Sequence, residues 1–414
     1  GAVGLLRLGL ERIGQPHAIG AGIVEHIDRL HLQLVDHPPA DAVVIAGLTH
    51  PGPKPYSVSE YKNMVGRAGR VGYSEDGESY VVATGDPAPS QAWQRYVLGR
   101  PEPIVSHFLG ATTDPQTLVL RSLVALGGTA SLEELIAILE NSFAVWQRVD
   151  AGGDGWSHQR LEQDVAALSS AELLDVETDG RITVTELGRY AGESGIEVRS
   201  VTQVSSLLRF LPANAAVTEA DLVALAQVTV ELDFYFPVAR RSRQEQFRWP
   251  QSVTSMGVNG SLMRGFHVGG GDPLSRLKKT AAVLLFMSDL PMTRIESILM
   301  QHLPSRAAAG PVRSVAARTR DVIDAVISIC RVRGHQLPDE ATLSQLGVRL
   351  EIGLPTEMGD VALQLGARLT RAQYLALASE GLTSFEALSD GAGELSSLIG
   401  DDLAQEILQL IQTH

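Results

Sequence analysis

Apolar and polar positions alternate in different rhythms along the 414 residues, and the rhythm marks the elements. Ala42-Val43-Val44-Ile45-Ala46 is a continuous apolar run, the pattern of a strand buried on both faces. Pro38-Pro39-Ala40 leads into it and Gly47 to Tyr56 is a proline-rich turn. Ser57 and Glu60 then have the S-x-x-E spacing of a helix cap, and Ser79 to Ala83 reads as another strand. Strand, helix, strand in this order predicts the tail of an α/β unit.

After breaks at Asp86-Pro87-Ala88-Pro89 and Gly99-Arg100-Pro101-Glu102-Pro103 the period becomes helical. Leu118 to Leu126 predicts a helix, Ser131 and Glu134 cap a second, and Leu161 to Leu168 gives a third. Leu173 to Val176 and Arg181 to Val184 flank the Asp179-Gly180 turn of a hairpin. Three helices and a two-stranded wing predict a winged helix, a fold that can lay its third helix in a DNA groove. Glu162, Asp164 and Glu172 face only Arg160 there, so a packing brace is the better expectation. Residues 200–353 are mainly helical. Past Gly310-Pro311, read as a proline-at-N1 start, Val315, Val322, Ile323, Val326, Ile327, Ile329 and Cys330 share one helix face. Arg313, Arg320, Asp324 and Arg331 recur at gaps of seven, four and seven, which lines the opposite face. Small helices close the chain: Leu369 to Ser379, Phe385 to Leu388, and Leu395 onward, with breaks at Gly381 and Gly400.

Residues 1–37 are the least legible. Val24 to Leu34 is helix-like, and His26, His31 and His37, at gaps of five and six, do not share a helix face as metal ligands would. No apolar run approaches the ~18 residues of a membrane span, and no signal-peptide pattern opens the chain. The first residue is Gly, the expectation for a chain that begins inside a longer product or after tag removal. Cys330 is the single cysteine, which excludes an internal disulfide and a cysteine zinc site and suits a reducing cytoplasm.

Charge changes the picture. The net charge is −14, yet Val238 to Gly334 holds 15 Lys/Arg against 6 Asp/Glu, leaving 19 basic and 42 acidic groups elsewhere. Such segregation predicts a basic surface on an acidic scaffold. Within it, Arg240, Arg241 and Arg243 stand among Phe234, Tyr235, Phe236, Phe247 and Trp249. Rings that stack on bases and arginines that hold phosphates suit a single strand, and rings packed in a core beside surface arginines are the even alternative. Gly257 to Gly271 reads as a flexible loop.

The most specific stretch is Glu60-Tyr61-Lys62-Asn63-Met64-Val65-Gly66-Arg67-Ala68-Gly69-Arg70-Val71-Gly72-Tyr73. Arg67 and Arg70 lie nearly one helical turn apart, so their guanidinium groups can face one way and grip a phosphate, while Gly66 and Gly69 keep the backbone open and end the helix. The wording E-Y-K-x-M-x-G-R-A-G-R-x-G-Y, followed by Gly77-Glu78, resembles motif VI of superfamily-two helicases of the superkiller-type and archaeal-repair-type branch. The resemblance implies that Arg67 and Arg70 reach the ATP phosphates across a cleft. The family's usual glutamine is here Asn63, a shorter amide. It also implies a threonine-, glycine- and Asn/Asp-bearing motif before residue 38, which Leu34-Val35-Asp36-His37 does not reproduce; the good flanks favour absent residues over degeneration.

The resemblance then implies a mixed fold and an order of parts. Residues 1–37 are unassigned and 38–86 form the C-terminal part of a second RecA-like domain. A connector follows at 87–110, a winged helix at 111–195, with Thr185 to Arg189 matching the family's T-x-L-G-R, and a mainly α-helical ratchet domain at 200–353. Residues 354–414 resemble a helix-hairpin-helix in which Gly366-Ala367-Arg368-Leu369-Thr370-Arg371 lacks the second glycine, so a structural cap is as good a reading as phosphate binding. Implied overall is the C-terminal part of an ATP-dependent helicase moving 3′-to-5′ on a single strand, DNA favoured over RNA, with Arg313, Arg320, Arg331, Arg240, Arg241 and Arg243 on the strand. ATP and Mg2+ belong to the full-length protein, which would add an N-terminal RecA-like domain and engage repair or defence partners. No G-x-x-x-x-G-K-[S/T] occurs, so the chain alone is not expected to hold or hydrolyse ATP. The contrasting class is a non-catalytic binding or scaffold module derived from such a helicase.

Overall fold

A computed structural model describes residues 4–9, 42–50, 54–68, 77–83, 87–106, 108, 114–212, 215–303 and 307–412. These residues are mostly helical with small sheets. The chain divides into two compact units, residues 1–105 and 106–414.

In the first unit β1 (Gly4–Gly9), β2 (Ala42–Ile45) and β3 (Glu78–Ala83) form a sheet in the order β1-β3-β2. β2 runs parallel to β3 with Val44 opposite Tyr80, and helix α1 (Val58–Val65) lies between them in the chain. The strands at 42–46 and 79–83 and the intervening helix therefore stand as the apolar pattern indicates. One inference from that pattern is corrected: β2 is an outer strand of the described sheet, with Val44 exposed and Ile45 buried, rather than a strand covered on both faces. β1 was not legible. Leu5 to Leu8 is too short a run to declare itself, and antiparallel pairing with β3, Leu6 opposite Val81, decides its state. Ile45, Leu48, Tyr61, Val81, Ala92 and Tyr96 make the core, with the Tyr61 and Tyr96 rings 5.3 Å apart. The helix-like stretch at 24–34 and the three histidines lie outside the described residues.

The second unit begins with α2 (Pro115–Ala125), α3 (Leu132–Glu140), α4 (Phe143–Asp150) and α5 (His158–Ser170), followed by β5 (Leu174–Val176) and β6 (Ile182–Val184). The short strand β4 (Thr129–Ala130) joins them in the order β4-β6-β5. Ser131 and Glu134 close a reciprocal capping box on α3, as their spacing indicates. Helix α4 is an addition, capped by Ser142, whose hydroxyl accepts from the Val145 N–H. Of the acids read onto the third helix, Asp164 is buried against Arg160 at 3.3 Å and Glu172 lies past the helix end. Burial pushes the Asp164 carboxyl up.

The helices α6 (Glu186–Glu193), α7 (Val198–Leu208), α8 (Glu219–Ala226), α9 (Arg243–Ser255), α10 (Pro273–Phe286), α11 (Met292–Leu299), α12 (Ala309–Val332) and α13 (Glu340–Ile352) complete the main body. One apolar core runs from Val119 on α2 to Leu350 on α13. The long helix α12 crosses it, burying Val315, Val322, Ile323, Val326, Ile327, Ile329 and Cys330 on the face the periodicity marks. Its start is corrected by two residues: Ala309 leads, so Pro311 is third rather than first, still within the first turn where the N–H has no helical partner.

The closing helices α14 (Gly359–Leu365), α15 (Arg371–Ser379), α16 (Phe385–Asp390), α17 (Ala392–Ile399) and α18 (Asp401–Gln412) enclose a second core from Leu354 to Ile407. At the joint, Gly353 has φ +86° and lies against the Phe286 ring, where a Cβ would fall 2.4 Å from it. Beside it Arg371 donates to four carbonyls: Gly353 (2.7 Å), Phe286 (3.0 Å), Ser288 (3.1 Å) and Leu290 (2.9 Å). One guanidinium thus fastens the closing helices to the turn after α10. Arg371→Ala removes charge-assisted bonds and is expected to lower the unfolding free energy of residues 354–412 by on the order of 3 kcal/mol. Hydrogen exchange should show these helices opening while α12 keeps its protection.

Candidate motor arginine and nucleic-acid interface

Helix α1 is fixed at its start by two carboxylates. Ser57 and Glu60 form the capping box their spacing indicates, with the Ser57 N–H donating to Glu60 Oε2 at 2.7 Å. Glu102, in the proline-flanked stretch read only as a break, accepts from the Val58 N–H at 2.7 Å, the Ser59 N–H at 2.8 Å and the Ser59 hydroxyl at 2.7 Å. Those bonds, led by the Ser59 hydroxyl, hold its carboxyl down at about 2. At the other end Gly66 caps the helix with φ −65°, so it serves by smallness, not by a left-handed turn: a Cβ would lie 3.2 Å from the Lys62 carbonyl. Asn63, Gly66 and Arg67 are all exposed at this end, and the Arg67 N–H donates to the Met64 carbonyl at 3.3 Å. Gly69 and Arg70 lie outside the described residues.

In the second unit, the mixed aromatic and basic stretch runs from the loop between α8 and α9 into the first two turns of α9. Its rings divide between the two readings. Phe236 and Trp249 are buried, whereas Tyr235 is 70% and Phe247 71% exposed. Tyr235, Arg240, Arg241 and His302 line a groove of about 750 Å³. Arg240 pairs with Asp272 at 2.9 Å, while Arg241 and Arg243 are exposed.

The local basic excess is not all surface. Arg276, Lys278 and Lys279 on α10 are buried. Lys278 forms an ion pair with the equally buried Glu245, whose carboxylate also accepts from Trp249 Nε1 (3.2 Å) and the Ala239 N–H (2.8 Å). Lys279 donates to the Leu232 carbonyl, with its ammonium 5.3 Å from the Phe234 ring centre. Arg276 donates to the carbonyls of Phe266 (2.9 Å), Val268 (2.6 Å) and Val228 (3.3 Å). Three cations counted toward a basic face therefore work in the interior, where they hold residues 228–239 in place. A count by sequence cannot separate the two; the one local signal was their place within a single turn beside apolar Leu277 and Ala281.

On α12 Arg313 is exposed, as its spacing indicates. Arg320 is half-buried and pairs with Asp321 (3.0 Å) and with Glu351 of α13 (3.4 Å). Arg331 pairs with Glu340, the first residue of α13, at 2.8 Å. Pairs this exposed are worth little and can be exchanged for a phosphate. Arg333, not singled out beforehand, reaches Glu172, a non-glycine residue at φ 63°.

No family model matches the chain. Similarity to curated proteins is extensive instead. The chain is 23% identical over 369 residues, 85% of its length, to the ATP-dependent DNA helicase Hel308 of Caldivirga maquilingensis, and 22% identical over 361 residues to that of Aeropyrum pernix. Over a shorter stretch of 132 residues, 32% of the chain, identity to Hel308 of Pyrococcus horikoshii is 30%. The chain is a distant relative of the archaeal Hel308 DNA helicases. The branch indicated by the arginine motif is thus the one found. The chain spans 46% of the Caldivirga and Aeropyrum Hel308 proteins, so it corresponds to a portion of such a helicase. Among the described residues no group of three or more His, Cys, Asp or Glu is placed to hold a metal, and no helix is long and apolar enough to cross a membrane.

The interior cations give this Hel308 relative a pH signature. Burial pushes the Lys279 ammonium down to about 8 from 10.5. Between those values the folded chain has released a proton that the unfolded chain still binds, so stability rises with pH across that window. The gain from this group is on the order of 3 kcal/mol. Urea unfolding at pH 7.5 and pH 10 should show the gain in the parent and less of it in Lys279→Met.

Proposed function

We propose that the chain is the C-terminal part of an ATP-dependent DNA helicase that moves 3′-to-5′ along single-stranded DNA. The observation that carries this reading is its relation to Hel308 DNA helicases across 85% of its length. On this reading residues 38–86 close a second RecA-like domain and 111–195 are a winged helix acting as a brace. Residues 200–353 form the ratchet domain with α12 as its strand-tracking helix, and 354–414 form a helix-hairpin-helix-like cap. Arg371 supports the cap assignment, since its donors face main-chain carbonyls.

Arg67 fits a role toward ATP: it is exposed at a helix end, beside the glycine that caps it. When bound, ATP and its Mg2+ supply the free energy of movement. This chain contributes Arg67 and Arg70 as paired donors for the terminal phosphate, with Asn63 four residues before Arg67. The phosphate cradle itself, and the N-terminal RecA-like domain that carries it, are expected in the full-length protein. The strand is held by exposed Arg241, Arg243 and Arg313, and by Arg240, Arg320 and Arg331 once their surface carboxylate partners yield to phosphates. Tyr235 offers a stacking face.

A titration of single-stranded DNA against RNA of the same sequence, at salt from about 50 to 200 mM, tests this. The chain should bind DNA, hydrolyse no ATP alone, and lose affinity steeply with salt. Arg241→Ala, Arg313→Ala and Arg320→Ala should each flatten the log–log salt slope by about one. Equal slopes in all three variants would contradict the strand path, tighter RNA binding the choice of DNA, and ATP turnover by the chain alone the division of the motor.

A further inference from the structure

The loop between α8 and α9 lines two cavities. The outer one is the groove assigned above to the strand. The inner one, of about 380 Å³, is lined by Asp233, Phe234, Tyr235, Arg240, Asp272 and Lys279, with Arg276 at its back. Tyr235, Phe236 and Arg240 line both, so the two cavities adjoin across these side chains. Its size is at the small end for an organic ligand.

Its chemistry selects the occupant. The Arg276 Nη groups donate to three main-chain carbonyls and Lys279 to a fourth, while the buried Arg276 Nε has no hydrogen-bond partner among the described residues. Asp272 is committed as well, to Arg240 at 2.9 Å and to the Leu274 N–H at 3.1 Å. Asp233 differs. Its two oxygens lie 3.5 Å from Arg276, longer than the 2.7–2.9 Å of a strong charged bond, and its side chain is 39% exposed. It keeps acceptor capacity toward the cavity. A phosphate there would meet two carboxylates, and a cation would meet Arg240, Arg276 and Lys279. A flat, neutral group with an N–H to donate meets neither conflict, and the Phe234 and Tyr235 rings give it apolar walls.

We infer that this cavity is a nucleobase pocket in which one base of the bound strand turns out of the outer groove, lies against Tyr235 and donates its exocyclic amine to Asp233. Carboxylates accept from the cytosine N4 amine, a donor that thymine lacks. The pocket rests on the strand-binding reading and adds base preference to it, because Asp233 touches no phosphate. Splayed bases recognised by stacking and edge hydrogen bonds are the usual way single strands are read.

Binding of oligo(dC) and oligo(dT) of equal length, at one salt concentration, tests the pocket. The parent should bind oligo(dC) about five-fold or more tighter. Asp233→Ala should erase that ratio while keeping oligo(dT) affinity at or above the parent's, and Asp233→Asn, whose amide oxygen still accepts, should restore part of it. Tyr235→Ala should weaken both oligomers by a similar factor. Equal binding of the two by the parent, or a ratio that survives Asp233→Ala in a variant with parental thermal unfolding, would overturn the pocket and leave strand binding standing. Failure of the parent to bind either oligomer would overturn strand binding and the pocket together.

Discussion

The arrangement of the helical body turns on the charge buried along α10. Taking an ammonium and a carboxylate out of water costs several kcal/mol each, so Lys278 and Glu245 persist in the core only because each completes the other's bonding. Glu245 spends its remaining capacity on Trp249 Nε1 and the Ala239 N–H. On the same turn of the helix, Lys279 donates to the Leu232 carbonyl and the Arg276 Nη groups donate to those of Val228, Phe266 and Val268. Ala239, Leu232 and Val228 lie in the loop between α8 and α9, Trp249 on α9, and Phe266 and Val268 between α9 and α10. The need to satisfy buried charge therefore helps set the path of a loop that also buries Val228, Leu232 and Phe236 in the apolar core.

That constraint connects the core to the proposed chemistry. With Ala239 tied to Glu245 and Leu232 tied to Lys279, Tyr235 between them and Arg240 just beyond stand exposed and line a groove. The surface cations differ in kind from the buried ones. Arg320 and Arg331 are in exposed pairs with α13, which cost little to break. The interior cations are thus held by fixed partners, whereas the surface ones are exchangeable, as the proposed strand binding requires.

Legibility followed range. The cap on α1, the capping box on α3, the Asp179-Gly180 hairpin and the buried face of α12 are set by residues within a turn or two, and all were readable. The family resemblance was readable for the same reason, because one contiguous stretch around Arg67 carries it. What escaped depends on partners distant in the chain. β1 becomes a strand only through β3, Glu102 becomes a helix cap only by reaching back to Val58, and Arg371 becomes a fastener only where the α10 turn meets it. The basic excess between Val238 and Gly334 misled in the same way, since burial of Arg276, Lys278 and Lys279 is decided by Glu245 and by carbonyls elsewhere.

The dependence of the groove loop on buried charge is open to one direct measurement. The double variant Glu245→Leu with Lys278→Met removes both charges without leaving either unpaired, a replacement that buried ion pairs tolerate. Amide hydrogen exchange should then show Ala239 and its neighbours in the loop losing protection while Val322 to Cys330 on α12 keep theirs. Unchanged protection at Ala239 in a folded double variant would contradict the account, because the loop would then owe its path to something other than Glu245.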